Sequence, residues 1–122
     1  YGILAGALGF DPGNLVLSHQ VHSDLVRAVT KKDARGLDHH LYPECDALIT
    51  NDPGTGLVIF TADCTPILLH DPVTGAVGAV HAGWRGTAMA IVKNAVLFHR
   101  GEIMAKNAQG GGLDILFTLR KT

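Results

Sequence analysis

The chain has 122 residues, of which 47% are hydrophobic and 17% charged, with a formal net charge of −1. That balance excludes a disordered chain, suits one domain with a modest core, and supplies no basic face for nucleic acid or an anionic membrane. Its apolar runs all fall short of the roughly 18 residues that a membrane span requires.

Tyr1 to Leu4 is apolar but has no basic residues before it, which argues against a signal peptide, and the lack of an initiating Met predicts a fragment or a trimmed start. Residues 1–9 read as the end of a helix, closed by Gly9 and the Asp11-Pro12-Gly13 turn. From Asn14 to Thr30 the β-formers Leu15, Val16, Leu17, Val21, Leu25, Val26 and Val29 predict a mostly extended course. Lys31 to Pro43 is polar, contains Gly36 and the pair His39-His40, and reads as an exposed loop. Asp46 to Thr50 is a short apolar strand ended by Asn51-Asp52-Pro53-Gly54.

Leu57 to Phe60 is a continuous apolar run, as expected of a strand buried on both faces. Thr61 to Thr65 interrupts it and Pro66 to His70 resumes it. The turn Asp71 to Gly75 then feeds Ala76 to His81, which predicts a hairpin. Gly83-Trp84-Arg85-Gly86 breaks that strand, the two glycines serving a tight turn of unusual backbone angles. Ala88, Ile91, Val92, Ala95, Val96 and His99 follow at helical spacing. Beyond Arg100 the pattern fails: Lys106 to Gly112 is irregular and Leu113 to Leu119 could form one edge strand. No repeat or heptad is present.

Three residues stand where a strand meets a turn: His22, Cys64 and His81. A thiolate with two imidazoles suits Zn²⁺ and leaves a fourth position for water, whose pKa such a site lowers to about 7. Two plainer readings compete with it. An isolated His or Cys in a β-rich segment is more often a packing residue, and Cys64 beside a His is also a serviceable thiol nucleophile. Pattern alone does not choose among the three. Cys45 and Cys64 could form one disulfide, but a chain of this size does not need it, and a reduced, cytoplasmic setting fits better.

The segments Gln20-Val21-His22, Thr61-Ala62-Asp63-Cys64-Thr65-Pro66 and His81-Ala82-Gly83-Trp84-Arg85-Gly86-Thr87 resemble the three signature motifs of the laccase-domain family, the multicopper polyphenol oxidoreductase or peptidoglycan-editing-factor-like proteins. Asp46 to Thr50 with Pro53-Gly54 resembles the strand and turn between the first two motifs, and the likeness runs from about Leu4 to Val96. The resemblance implies an α/β (α+β) fold with layered mixed β-sheets flanked by helices. It also implies that His22, Cys64 and His81 jointly hold Zn²⁺, with copper as the other candidate. The activities it implies are phosphorolysis of adenosine, inosine, guanosine and methylthioadenosine, and deamination of adenosine; the partners are then purine nucleosides and phosphate.

For deamination, water activated at the centre would attack C6 of adenine, with Asp63 as the candidate proton shuttle because it adjoins Cys64; its plainer role is a turn cap. For phosphorolysis, Arg85 offers a bidentate fork to phosphate, against a surface ion pair as the plainer role. Trp84 could stack on a purine, or anchor the turn in the core. His19, His39, His40, His70 and His99 lack motif support and read as surface or packing residues, although the His-rich loop is open to adventitious metal. Cys45 stands where the family usually has Ala or Gly and reads as packing.

The rival functions are a copper-dependent polyphenol oxidase, a cysteine hydrolase editing peptidoglycan precursors, and an inactive fragment. A multicopper oxidase needs more ligands than one three-residue site provides. The fragment reading has support at both ends of the chain. The family's amino-terminal strands, with an Asn-Leu-Gly-type segment, are absent, and beyond Leu97 no Ile-Gly-Pro segment followed by adjacent cysteines is found. Residues 1–100 are therefore expected to form the metal-site domain, incomplete at its start, and 101–122 a divergent or irregular tail. Missing strands would expose sheet edges, so self-association or instability is expected as well.

Overall fold

The protein is described by a computed structural model covering residues 2–83, 85–98, 103–107, 109–110 and 113–117. Helix α1 (Gly2–Leu8) ends at Gly9, whose φ of 76° suits a residue without Cβ, and Asp11 caps the 3-10 turn that follows by accepting from the Gly13 amide at 2.9 Å. Strands β1 (Leu15–Val16), β2 (Val26–Ala28), β3 (Ala47–Thr50), β4 (Gly56–Leu57), β5 (Thr65–His70) and β6 (Val77–Ala82) precede helix α2 (Arg85–Phe98). Strands β7 (Ile103–Asn107) and β8 (Leu113–Phe117) then pair as an antiparallel hairpin. The carboxy-terminal stretch is thus more regular than its glycines suggested, and the pattern reading missed β7.

The main sheet has the order β2-β3-β6-β5, with β2 and β3 parallel and the other pairs antiparallel. Two layers cover it. On one face Ala47, Ile49, Val80 and Ala82 meet Ile91, Val92, Ala95 and Val96 of α2, the stripe expected from the helical spacing. On the other, Leu48 joins Leu15, Val16, Leu17, Val29, Tyr42 and Cys45 beneath the small parallel sheet of β1 and β4. Alternation along β3 sends its side chains both ways, so all four residues are buried. This layered mixed architecture is the α/β fold expected.

Two-sided burial was expected of Leu57 to Phe60, and there the expectation fails. Only Gly56–Leu57 is strand, and Phe60 is 46% exposed. The reason is a partner distant in sequence. The Gln20 side chain satisfies Phe60, donating from Nε2 to its carbonyl at 2.6 Å and accepting from its amide through Oε1 at 2.8 Å, so a side-chain amide stands where a neighbouring strand would. The hairpin of β5 and β6 forms as expected, closed by Gly75 at φ 75°. Pro66 is tolerated because β5 lies at the sheet edge.

Residues 29–46, the crossover between parallel strands β2 and β3, are not featureless. They carry two 3-10 turns, Lys31–Asp33 and His39–Leu41, each capped by the residue before it. Among the described residues no helix is long and apolar enough to cross a membrane.

Candidate metal centre

His22, Cys64 and His81 each bring a ligand atom within 4.8 Å of the others. They arrive by three routes. His81 sits near the end of β6 and is 5% exposed, with its amide bonded to the Asp46 carbonyl at 2.7 Å. Cys64 immediately precedes β5, and the pairing of Thr65 with Ala82 and of Pro66 with His81 carries it to the same end of the hairpin. His22 lies in the turn between β1 and β2, its ring 5.0 Å from that of His81 and inclined by 70°.

His22 has φ 60°, and no other described residue except glycine has positive φ. The unusual backbone angle expected at Gly83 and Gly86 is therefore at His22, one of the candidate ligands: Gly83 has no positive φ, and Gly86 lies within α2. A left-handed conformation costs an L-residue about 1–2 kcal/mol, and here the turn is held by a single buried carboxylate. Asp46 Oδ2 accepts from the Val21 amide at 3.2 Å, the Ser23 amide at 2.7 Å and the Ser23 hydroxyl at 2.6 Å, while Oδ1 accepts from the His22 amide at 3.0 Å.

Oδ1 also lies 2.8 Å from His81 Nδ1. With the carboxylate ionised, that nitrogen carries the proton, and Nε2 presents its lone pair to a ligand. Burial pushes the Asp46 carboxyl up, but the bonds from the Ser23 hydroxyl, the His81 ring and the backbone of Ser23 and Val21 outweigh it and hold the group below its ordinary value. A carboxylate–histidine pair behind a soft thiolate and a second imidazole is a donor set that fits Zn²⁺ or copper.

Asp46 and Gln20 are the positioning residues that ligand chemistry alone did not single out. Their signals were a charged residue ahead of an apolar strand and a Gln two residues before a candidate ligand. Asp63 is exposed beside Cys64, and makes no hydrogen bond to another described residue that would cap the turn. Trp84 and His99 lie outside the described residues, as does the side chain of Arg85, whose backbone opens α2. Both cysteines are free; Cys45 is fully buried, and burial pushes its thiol up, as suits a packing residue.

The sequence profile described as multi-copper polyphenol oxidoreductase laccase matches residues 1–109. A purine nucleoside phosphorylase of Streptomyces griseus is 45% identical over 89 residues, covering 73% of this chain and 35% of that protein. One of Deinococcus radiodurans is 44% identical over 93 residues, covering 76% and 34%. Among solved structures, YlmD of Geobacillus stearothermophilus is 36% identical with a TM-score of 0.74, over 81% of this chain and 38% of that one. The chain spans about a third of the length of these relatives, 35% and 34% for the two phosphorylases.

Proposed function

The chain belongs to the multi-copper polyphenol oxidoreductase laccase family, and from that premise we propose that it supplies the one-metal centre of a purine-nucleoside enzyme. The observation that carries this reading is the convergence of His22, Cys64 and His81, two of which the Asp46 carboxylate holds in place. The reactions we assign are phosphorolysis of adenosine, inosine, guanosine or methylthioadenosine, and deamination of adenosine. The phosphorylase half is supported by the names of the relatives.

Zn²⁺, with copper as the alternative, would polarise a substrate oxygen or acidify a water in its open position. The protein's own residues do the rest. Asp46 keeps the proton on His81 Nδ1 and so fixes which nitrogen faces the centre. Exposed Asp63, next to Cys64, moves a proton to or from the purine. Arg85 binds phosphate as a planar fork, and Trp84 stacks on the base. Two free cysteines suit a reducing cytoplasm.

The test is to incubate the chain with adenosine, inosine and methylthioadenosine, with and without phosphate, and to identify the products. Free base formed only with phosphate establishes phosphorolysis, and inosine formed from adenosine establishes deamination. Phenol oxidation that tracks copper content, with no purine product, would overturn the reading. Activity that survives chelation but is lost on alkylating Cys64 would favour the cysteine-hydrolase rival.

A further inference from the structure

A second set of histidines converges away from the centre just described. His19, His39 and His40 each place a ring nitrogen within 4.8 Å of the others. Their ring centroids are 5.5 Å apart for His19 and His39, 5.1 Å for His19 and His40, and 3.9 Å for His39 and His40. His39 and His40 are neighbours, but His19 belongs to a separate segment ahead of β2, so the cluster is a product of the fold.

Both segments are anchored independently of the rings. His19 pairs in parallel with Glu44, donating its amide to the Pro43 carbonyl at 3.3 Å and accepting the Cys45 amide at 3.1 Å. His39 and His40 open a 3-10 turn capped by Asp38, whose Oδ1 accepts from the His40 amide at 3.0 Å. Buried Tyr42 fixes the loop from below: its hydroxyl donates to the Gly36 carbonyl at 2.7 Å and accepts from the Arg35 amide at 2.7 Å. His39 and His40 are exposed and His19 half-buried, and the cleft beside them is open and lined by Ser18, Gln20, His39 and Phe60, so a cation can enter.

We propose that His19, His39 and His40 form a second metal site, selective for borderline divalent transition cations such as Zn²⁺. Three neutral imidazoles satisfy such an ion in a tetrahedral set with one position left for water, and a hard cation such as Mg²⁺ would find no oxygen donor among them. The ion staples the crossover loop to the segment that leads into the Gln20–His22 turn. It stands apart from the reaction assigned above, since its ligands include none of His22, Cys64 and His81.

Titrating the metal-free full chain with Zn²⁺ by calorimetry, under reducing conditions, tests this. The wild-type chain is expected to take two equivalents. The double variant His39→Asn with His40→Asn, both at exposed positions, is expected to take one, as is Cys64→Ser, and the triple variant none. Co²⁺ separates the two sites by a second readout: the thiolate-to-cobalt absorption band persists in the His39/His40 double variant and vanishes in Cys64→Ser, which still binds one cobalt. A double variant that binds as many equivalents as the wild type would overturn the proposal, whatever happens at Cys64.

Discussion

The Asp46 carboxylate receives the amides of Val21, His22 and Ser23, the Ser23 hydroxyl and the His81 ring, and is fully buried while doing so. Changing it to Asn keeps the shape but turns a carboxylate oxygen into an amide NH₂ that faces donors. We expect Asp46→Asn to destabilise the chain by about 3 kcal/mol in urea unfolding, and to weaken metal binding about 10- to 100-fold in calorimetry. His22 responds in the opposite sense. It is exposed and left-handed, so His22→Gly relieves backbone strain and is expected to raise the stability of the metal-free chain by about 1 kcal/mol while abolishing tight metal binding. A loss of stability in both variants would mean that the His22 conformation is not strained.

Strand β3 and helix α2 carry the central core, and their identity was legible because the short apolar run Ala47-Leu48-Ile49 and a 3.6-residue stripe are strong local signals. Ile49 faces α2 with no exposure, so Ile49→Ala is expected to cost about 2–5 kcal/mol in unfolding, whereas Leu68→Ala on β5, 78% exposed, should stay within about 0.5 kcal/mol. What was not legible follows from the same physics. Phe60 was read as strand because its neighbours are apolar, but Gln20, some forty residues earlier, takes both of its backbone groups, and a local window cannot see such a partner. The three candidate ligands could be picked out as residue types at strand ends. Their convergence could not, since it depends on the β5–β6 register and on the Asp46 carboxylate just ahead of β3. The part of His19 beside His39 and His40 is illegible for a similar reason: the sequence shows a polar, His-rich loop, but not the strand-like bridge that brings His19 to it.

Across the whole molecule, apolar surface is left uncovered at one edge. Leu4, Leu8, Phe10, Leu57 and Leu68 line a cleft of about 390 Å³ between α1 and β5, and Leu4 and Leu68 are 60% and 78% exposed. Patches of this kind promote association, and β5 ends the main sheet with an unpaired edge among the described residues. Sedimentation velocity at rising concentration is expected to show self-association that Leu68→Lys reduces; no difference between the two chains would place the contact elsewhere. The parallel pairing of β2 with β3 has a further consequence, for the order of events in folding. Asp46 cannot collect the amides of residues 21–23 until the crossover of residues 29–46 has closed, and Cys64 and His81 join only when the hairpin docks on β3. Closures of this kind carry a large loop-entropy cost, and we expect the centre to be completed only after the rate-limiting barrier. In stopped-flow chevrons, added Zn²⁺ should leave the refolding limb where it is and lower the unfolding limb, so that the metal acts as a latch on the finished fold and not as its template.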